Sequence, residues 1–413
     1  MRRLLAIFVP FAALFISLQA GGQEISGPWK GDIQAGVTRL AIVFRFGNGV
    51  CTMDSPDQGA KDIPAELEYI SSDSVRVVQK QMDAVFSGRL KDGRIVGRFT
   101  QRGFTTSLTL TPGDVVRNRP QTPVEPFPYK VEEVSFTNGD AVLSGTLVYP
   151  EGWNARKKVP VAILVSGSGL QNRDEELFGH KPFLVISDYL ARKGIATLRY
   201  DDRGAGKSVG NAQEATTMDF MEDAGAGLDF LRSTGKFGKT GVIGHSEGGE
   251  IAFMLAARNK VDFLVSLAGP GVQGDSILLL QNLNALRQAG YTMPIPKETV
   301  RAQVKSRNNP WLDYFIDYDP AKDIRLVRCP ALILNGGKDT QVEAPVNIPA
   351  IESNLPRNRR GRYVSKKTAV KVYPGLNHLF QHCETGQSDE YGRIEETISP
   401  EVLSDIAAWI NKL

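Results

Sequence analysis

Residues 240–249 read Thr-Gly-Val-Ile-Gly-His-Ser-Glu-Gly-Gly. A short apolar run ends in Gly244-His245-Ser246-Glu247-Gly248, and small residues with helical spacing follow over 249–258. A lone G-x-S-x-G arises often by chance. Between a strand and a helix it specifies a sharp turn that lifts a serine hydroxyl above a sheet. The flanking glycines allow the strained backbone that such a turn needs. A merely structural serine is the plainer alternative, but the strand–turn–helix frame favours Ser246 as a nucleophile.

A serine hydroxyl attacks only when a base removes its proton, so a histidine is required. The chain has four. His245 adjoins the nucleophile, and the turn directs its side chain away. His180 precedes the nucleophile in an early loop, and His382 has no strand-end context. His378 follows the last strand pattern, in Tyr373-Pro374-Gly375-Leu376-Asn377-His378, and is the expected base. Its imidazole needs a carboxylate to fix the tautomer. On a sheet of this kind the acid lies between serine and histidine in the chain. Asp339 fits, in Asn335-Gly336-Gly337-Lys338-Asp339 after an apolar strand, with Glu343 as the alternative. A tetrahedral oxyanion needs backbone donors. One is the N–H of Glu247; the other comes from Ser166-Gly167-Ser168-Gly169-Leu170, where Ser168 is the first choice and Gly169 the second.

Outward from this core the texture is that of an α/β protein. Strand patterns at 161–165, 195–200, 241–244, 263–268, 331–335 and 369–373 alternate with helical ones at 182–192, 216–233, 249–258 and 400–413. This predicts a mostly parallel sheet with helices on both faces. A hairpin turning at Asn138-Gly139 precedes it. No strand pattern falls between 269 and 328, where 278–289, 296–306 and 311–318 read as helices. A helical cap over about 270–328 is expected, with Leu278, Leu279, Tyr291, Trp311 and Tyr314 either shaping a pocket or filling the cap's own core.

Ahead of the Ser, Asp and His constellation, 27–110 is a series of short alternating runs, such as 40–46, 75–78, 84–90 and 107–110, separated by Gly/Asn/Asp turns. That is a small antiparallel sheet or barrel. Four prolines in 119–128 (RPQTPVEPFP) make a semi-rigid linker. The expected organisation is therefore a leader at 1–22, a β domain at 23–118, the linker, and a catalytic domain at 129–413. The leader rests on Met1-Arg2-Arg3, an apolar run over 4–18 and small residues at 19–22, the three-part layout of a secretory signal peptide. It implies export to a periplasmic or extracellular space, with a mature start near 20–23 and no stable membrane anchor.

The 413-residue length suits about two domains. A net charge of +3 offers no electrostatic case for nucleic acid. Three scattered cysteines, Cys51, Cys329 and Cys383, exclude a disulfide framework but allow one bridge, and no metal-ligand spacing appears. Gly204-Ala205-Gly206-Lys207-Ser208 mimics the end of a phosphate-binding loop. The opening glycine position holds Asp201, however, and no helix pattern starts at the Lys-Ser, which argues against nucleotide binding.

Taken in order, Ser166–Gly169 with Asn172-Arg173-Asp174-Glu175, then Tyr200-Asp201-Asp202-Arg203-Gly204-Ala205-Gly206-Lys207-Ser208, GHSEGG, GGKD and GLNH, the last two thirds of the chain resemble the α/β-hydrolase superfamily. Within it the chain resembles in particular the exported bacterial serine esterases of the EstD type. It implies a carboxylic ester hydrolase acting on a small-molecule ester without a cofactor or metal. A peptidase or acyltransferase of the same fold, and a binding protein on a hydrolase scaffold, are the rivals. It further implies that the loop at 200–208 is scaffold beside the nucleophile turn, with Asp202 and Arg203 in buried polar contacts. Where the family has His-Gly before the oxyanion amide, this chain has Ser166-Gly167. The N-terminal β domain, with its segment 53–60, resembles the accessory domain of some such exported proteins.

Overall fold

The computed structural model describes residues 25–35, 38–47, 49–58, 60–288 and 290–413. The leader expected at 1–22, and the mature start near 20–23, lie outside these residues. The chain divides near Val115 into two compact units.

The first is a closed barrel of eight strands in chain order: β1 (Gly27–Ala35), β2 (Thr38–Gly47), β3 (Val50–Ser55), β4 (Ala60–Ile70), β5 (Ser74–Gln79), β6 (Ala84–Lys91), β7 (Arg94–Gln101) and β8 (Phe104–Pro112). β1 returns antiparallel onto β8 through Trp29↔Pro112 and Lys30↔Thr111. Side chains alternate along each strand, so Ile42, Phe44 and Phe46 of β2 and Leu108 and Leu110 of β8 point inward. Together with Trp29, Met53 and Phe86 they fill the lumen as a packed core. The runs 40–46, 75–78, 84–90 and 107–110 become β2, β5, β6 and β8.

The stretch 119–128 has no strand or helix, yet it is not a free spacer. Arg119 donates to the carbonyls of Phe178 (2.7 Å), Ile394 (2.9 Å) and Gly392 (3.0 Å), and Gln121 donates to that of Ile398 (2.7 Å). Partners 59 to 277 residues ahead tie down a segment that composition alone reads as a linker.

The second unit is built on β9 (Val131–Asn138), β10 (Ala141–Val148), β11 (Val161–Val165), β12 (Ala196–Tyr200), β13 (Thr240–His245), β14 (Phe263–Leu267), β15 (Ala331–Gly336) and β16 (Ala369–Tyr373), in the order β16-β15-β14-β13-β11-β12-β10-β9. From β12 to β16 every neighbouring pair is parallel, and β9 and β10 add antiparallel strands at one edge. β11 to β15 are buried throughout, as parallel strands covered on both faces must be. Val161, Ile163 and Val165 of β11 enter one core, and Ala162 and Leu164 enter the other. The first core is closed by α2 (Thr217–Ser233), α3 (Glu247–Ala257) and α8 (Ala344–Asn354), and the second by α1 (Pro182–Arg192) and α10 (Pro400–Ile410).

Between β14 and β15 stand α4 (Gly274–Gln288), α5 (Lys297–Lys305), α6 (Pro310–Asp317) and α7 (Ala321–Ile324). Ile277, Val304, Phe315 and Ile316 give these helices a small core of their own with Val342. A short helix α9 (Ser388–Tyr391) lies in the loop after β16. Among the described residues, no helix is long and apolar enough to cross a membrane and no cluster of metal-ligating side chains occurs. All three cysteines are free thiols.

Candidate active site

Parallel strands end together, so the loops after β13, β15 and β16 gather at one rim of the sheet. At the end of β13 the chain turns straight into α3 at Ser246, with φ +54° and ψ −119°. A serine there costs on the order of 1–3 kcal/mol and persists only where its surroundings impose it. The Ser246 N–H donates to the Leu267 carbonyl at 2.8 Å. Both motif glycines are steric necessities. A Cβ on Gly244 would lie 1.8 Å from the Gly248 carbonyl oxygen, and one on Gly248 would lie 2.0 Å from that of Val165. The helix begins at Glu247, two residues before the expected Gly249, so the Glu247 N–H is a first-turn donor without an intrahelical partner.

The loop after β15 carries Asp339, and the loop after β16 carries His378. His378 Nδ1 lies 2.8 Å from Asp339 Oδ2, with both residues buried. The Gln341 and Val342 amides donate to Asp339 Oδ1 at 2.8 and 2.9 Å, and Asn335 Nδ2 approaches Oδ2 at 3.3 Å. A carboxylate held this way directs the Nδ1 proton of His378 and leaves Nε2 as the acceptor. Glu343, the alternative acid, instead accepts from Asn284 Nδ2 at 2.7 Å.

Ser246 and His378 line one cavity of about 260 Å³, together with Ser168 and Glu247. Its apolar wall includes Ile277, Leu278, Trp311, Phe315 and Leu379. Of the cap residues expected to shape a pocket, Leu278 and Trp311 reach it. Leu279 and Tyr314 do not line it, and Tyr291 is exposed. Gly169 is not part of this lining; it borders a smaller void with Asp202 and Glu247.

The Glu247 carboxyl is itself buried and accepts from Thr217 Oγ1 (2.7 Å) and Trp311 Nε1 (2.8 Å), which ties the elbow to α2 and to the cap. Burial raises its pKa. His180 is buried elsewhere, with Nδ1 2.9 Å from Thr397 Oγ1, and His382 is exposed beside Glu396. His245 corrects the sequence reading. Its ring is not turned away from the site but lines the cavity, and it is unsuited as the base because both nitrogens are engaged. Nδ1 lies 2.9 Å from Glu175 Oε1, and Nε2 lies 3.0 Å from the His378 carbonyl. Glu175 itself was not singled out by the sequence; only its place at the end of Asn172–Glu175 marks it.

In the loop at 200–208 a carboxylate of its own takes up a backbone amide that a phosphate-binding loop would offer. Asp201 Oδ2 accepts the Lys207 N–H at 3.0 Å and pairs with Arg173 at 2.8 Å. The Arg203 guanidinium makes two 2.7 Å bonds to the buried Asp223 carboxylate of α2. Asp202 accepts the Gln171 amide at 2.9 Å, and burial pushes its pKa well above the usual carboxylate range.

Residues 183–314 match the family Hydrolase_4, described as serine aminopeptidase, S33. Esterase EstD of Thermotoga maritima is 26% identical over 334 residues, spanning 78% of this chain and 75% of that protein. Among solved structures, the Pyrococcus furiosus esterase Pf2001 aligns with a TM-score of 0.48 at 18% identity, covering 73% of this chain and 99% of its own. Proline iminopeptidase of Mycobacterium smegmatis aligns with a TM-score of 0.46 at 16% identity, covering 68% and 98%. The strand order and the serine elbow of this chain give its second unit, which follows an eight-stranded β-barrel, the α/β-hydrolase fold, and the chain is similar in part to Hydrolase_4 and to Esterase EstD.

Proposed function

We propose that this protein hydrolyses small-molecule carboxylic esters through an acyl-enzyme. Ser246 attacks the acyl carbon while His378 takes its proton and passes it to the leaving alcohol. Asp339 orients the imidazole and stabilises its charged form. The oxyanion is met by the Glu247 and Ser168 amides, with Gly169 the other candidate from the same loop. Water, activated by His378, then releases the acid, and no metal or cofactor takes part.

The observation that carries this reading is a serine in a strained elbow sharing a cavity with a histidine whose Nδ1 is 2.8 Å from a buried aspartate. The likeness to Esterase EstD supports the ester as substrate. A fluorophosphonate probe should label the parent at Ser246 and leave Ser246→Ala unlabelled; label on the alanine variant would refute the assignment. An aminopeptidase is the second reading, favoured by the family description over 183–314. Rates on 4-nitrophenyl acyl esters against aminoacyl 4-nitroanilides separate the two, and the ester reading expects turnover of the esters alone.

We further propose, on the pattern of residues 1–22, that the protein is exported to a periplasmic or extracellular space. Cell fractionation with N-terminal sequencing of the mature chain tests this, and a cytoplasmic chain starting at Met1 would overturn it.

A further inference from the structure

The x position before the nucleophile in G-x-S-x-G carries a histidine that the triad does not use. His245 is buried, and its ring centroid is 4.8 Å from that of His378. The His378 carbonyl can only accept, so His245 Nε2 carries a proton. On the other side, Glu175 Oε1 receives two groups: His245 Nδ1 at 2.9 Å and the Gly167 N–H at 2.7 Å. Gly167 is pressed between the two partners. A Cβ there would lie 3.1 Å from the Ser246 Cβ and 3.2 Å from Glu175 Oε1. Glu175 reaches this position with a left-handed backbone, φ +52°, unusual for a residue with a side chain. Strain of that sort gathers where a side chain must be aimed.

We propose that Glu175 and His245 act as one positioning unit for the ester hydrolysis inferred above. Glu175 pins the Gly167 amide and the His245 ring, and His245 pins the His378 carbonyl. The oxyanion loop and the base loop are thereby locked to each other across Ser246. Because the Gly167 N–H is spent on Glu175, the second oxyanion donor falls to the amides that follow it, Ser168 or Gly169. Glu175 also cancels charge. An unpaired imidazolium at 245 would oppose the second imidazolium that His378 becomes during proton transfer. Burial alone would lower the His245 pKa, but the Glu175 charge and hydrogen bond and the His378 carbonyl outweigh it and hold it raised. Asp339 acts on the ring in the same direction.

The test compares Glu175→Gln, His245→Gln and the double variant with the parent, in the full chain, on 4-nitrophenyl acetate. Each single change should lower kcat about 10–100-fold, as a small misplacement of reacting groups does, with KM within about twofold of the parent. The melting temperature should stay within a few degrees. The double variant should fall no further than about threefold below the slower single, since partners in one unit are not additive. A single variant that folds and keeps parental kcat overturns the proposal, and so does a double loss equal to the product of the singles. Should the variants fail to fold, ¹⁵N-histidine spectra of the parent near pH 7.5 decide. A proton on His245 Nε2, facing the His378 carbonyl, is expected, and a bare Nε2 overturns the proposal. Fluorophosphonate labelling that survives Ser246→Ala refutes the ester-hydrolase reading instead, so the two failures are distinguishable.

Discussion

Asp339 is the acceptor-only group facing His378 Nδ1 through Oδ2, and its Oδ1 is already committed to two backbone amides. Replacing it with asparagine keeps the shape but turns an amide toward Nδ1, so the proton moves to Nε2 and the base is lost. We expect Asp339→Asn to lower kcat about 10⁴-fold with little change in KM. A loss under tenfold in steady-state kinetics would mean that another carboxylate orients the ring. At this scale the sequence was informative where chemistry alone restricts the choice. Four histidines and a required chain order single out His378, and the ring does meet Asp339. It was silent on Glu175, because nothing in the run Asn-Arg-Asp-Glu distinguishes a surface carboxylate from one facing a ring 70 residues away.

Among the elements, the turn from β13 into α3 is the most constrained, because backbone packs against backbone with no room for a methyl group. Gly248→Ala should destabilise the protein by about 3 kcal/mol or more, since the obstacle is a carbonyl of β11 that cannot rotate aside. Thermal melts check this, and a parental melting temperature would sink the steric account. The helical pattern at 216–233 becomes α2, and a capping box of Thr216 and Asp219 fixes its start. α8 was not legible. Pro345 in its first turn and Pro349 within it read as loop residues. Burial of Ile348 and Ile351 against the sheet forms the helix nonetheless. The barrel strands followed from period-two alternation, whereas closure depends on β1 meeting β8 some eighty residues later.

For the whole molecule, acid stability should depend on His180. Burial, reinforced by the charge of Arg119, pushes its pKa down to about 4. The unfolded chain takes up the proton near pH 6.5 and the folded one only near 4, so stability is full above that window and falls as pH drops through it. The expected loss is on the order of 3 kcal/mol between neutral pH and pH 4. Urea unfolding at several pH values should give a shallower slope for His180→Gln than for the parent, and equal slopes would refute the assignment. The same burial shows where legibility ends. Local pattern determined the element types, the turn at Ser246, the strands of the N-terminal β unit and the chain order of Ser246, Asp339 and His378, because periodicity, glycine placement and turn chemistry act between near neighbours. Only the tertiary structure decided that 119–128 is anchored, that Trp311 bonds the Glu247 carboxyl, and that Glu175 meets His245. Those contacts join residues tens to hundreds of positions apart, and their energy comes from desolvating both partners at once, which no local run of sequence encodes.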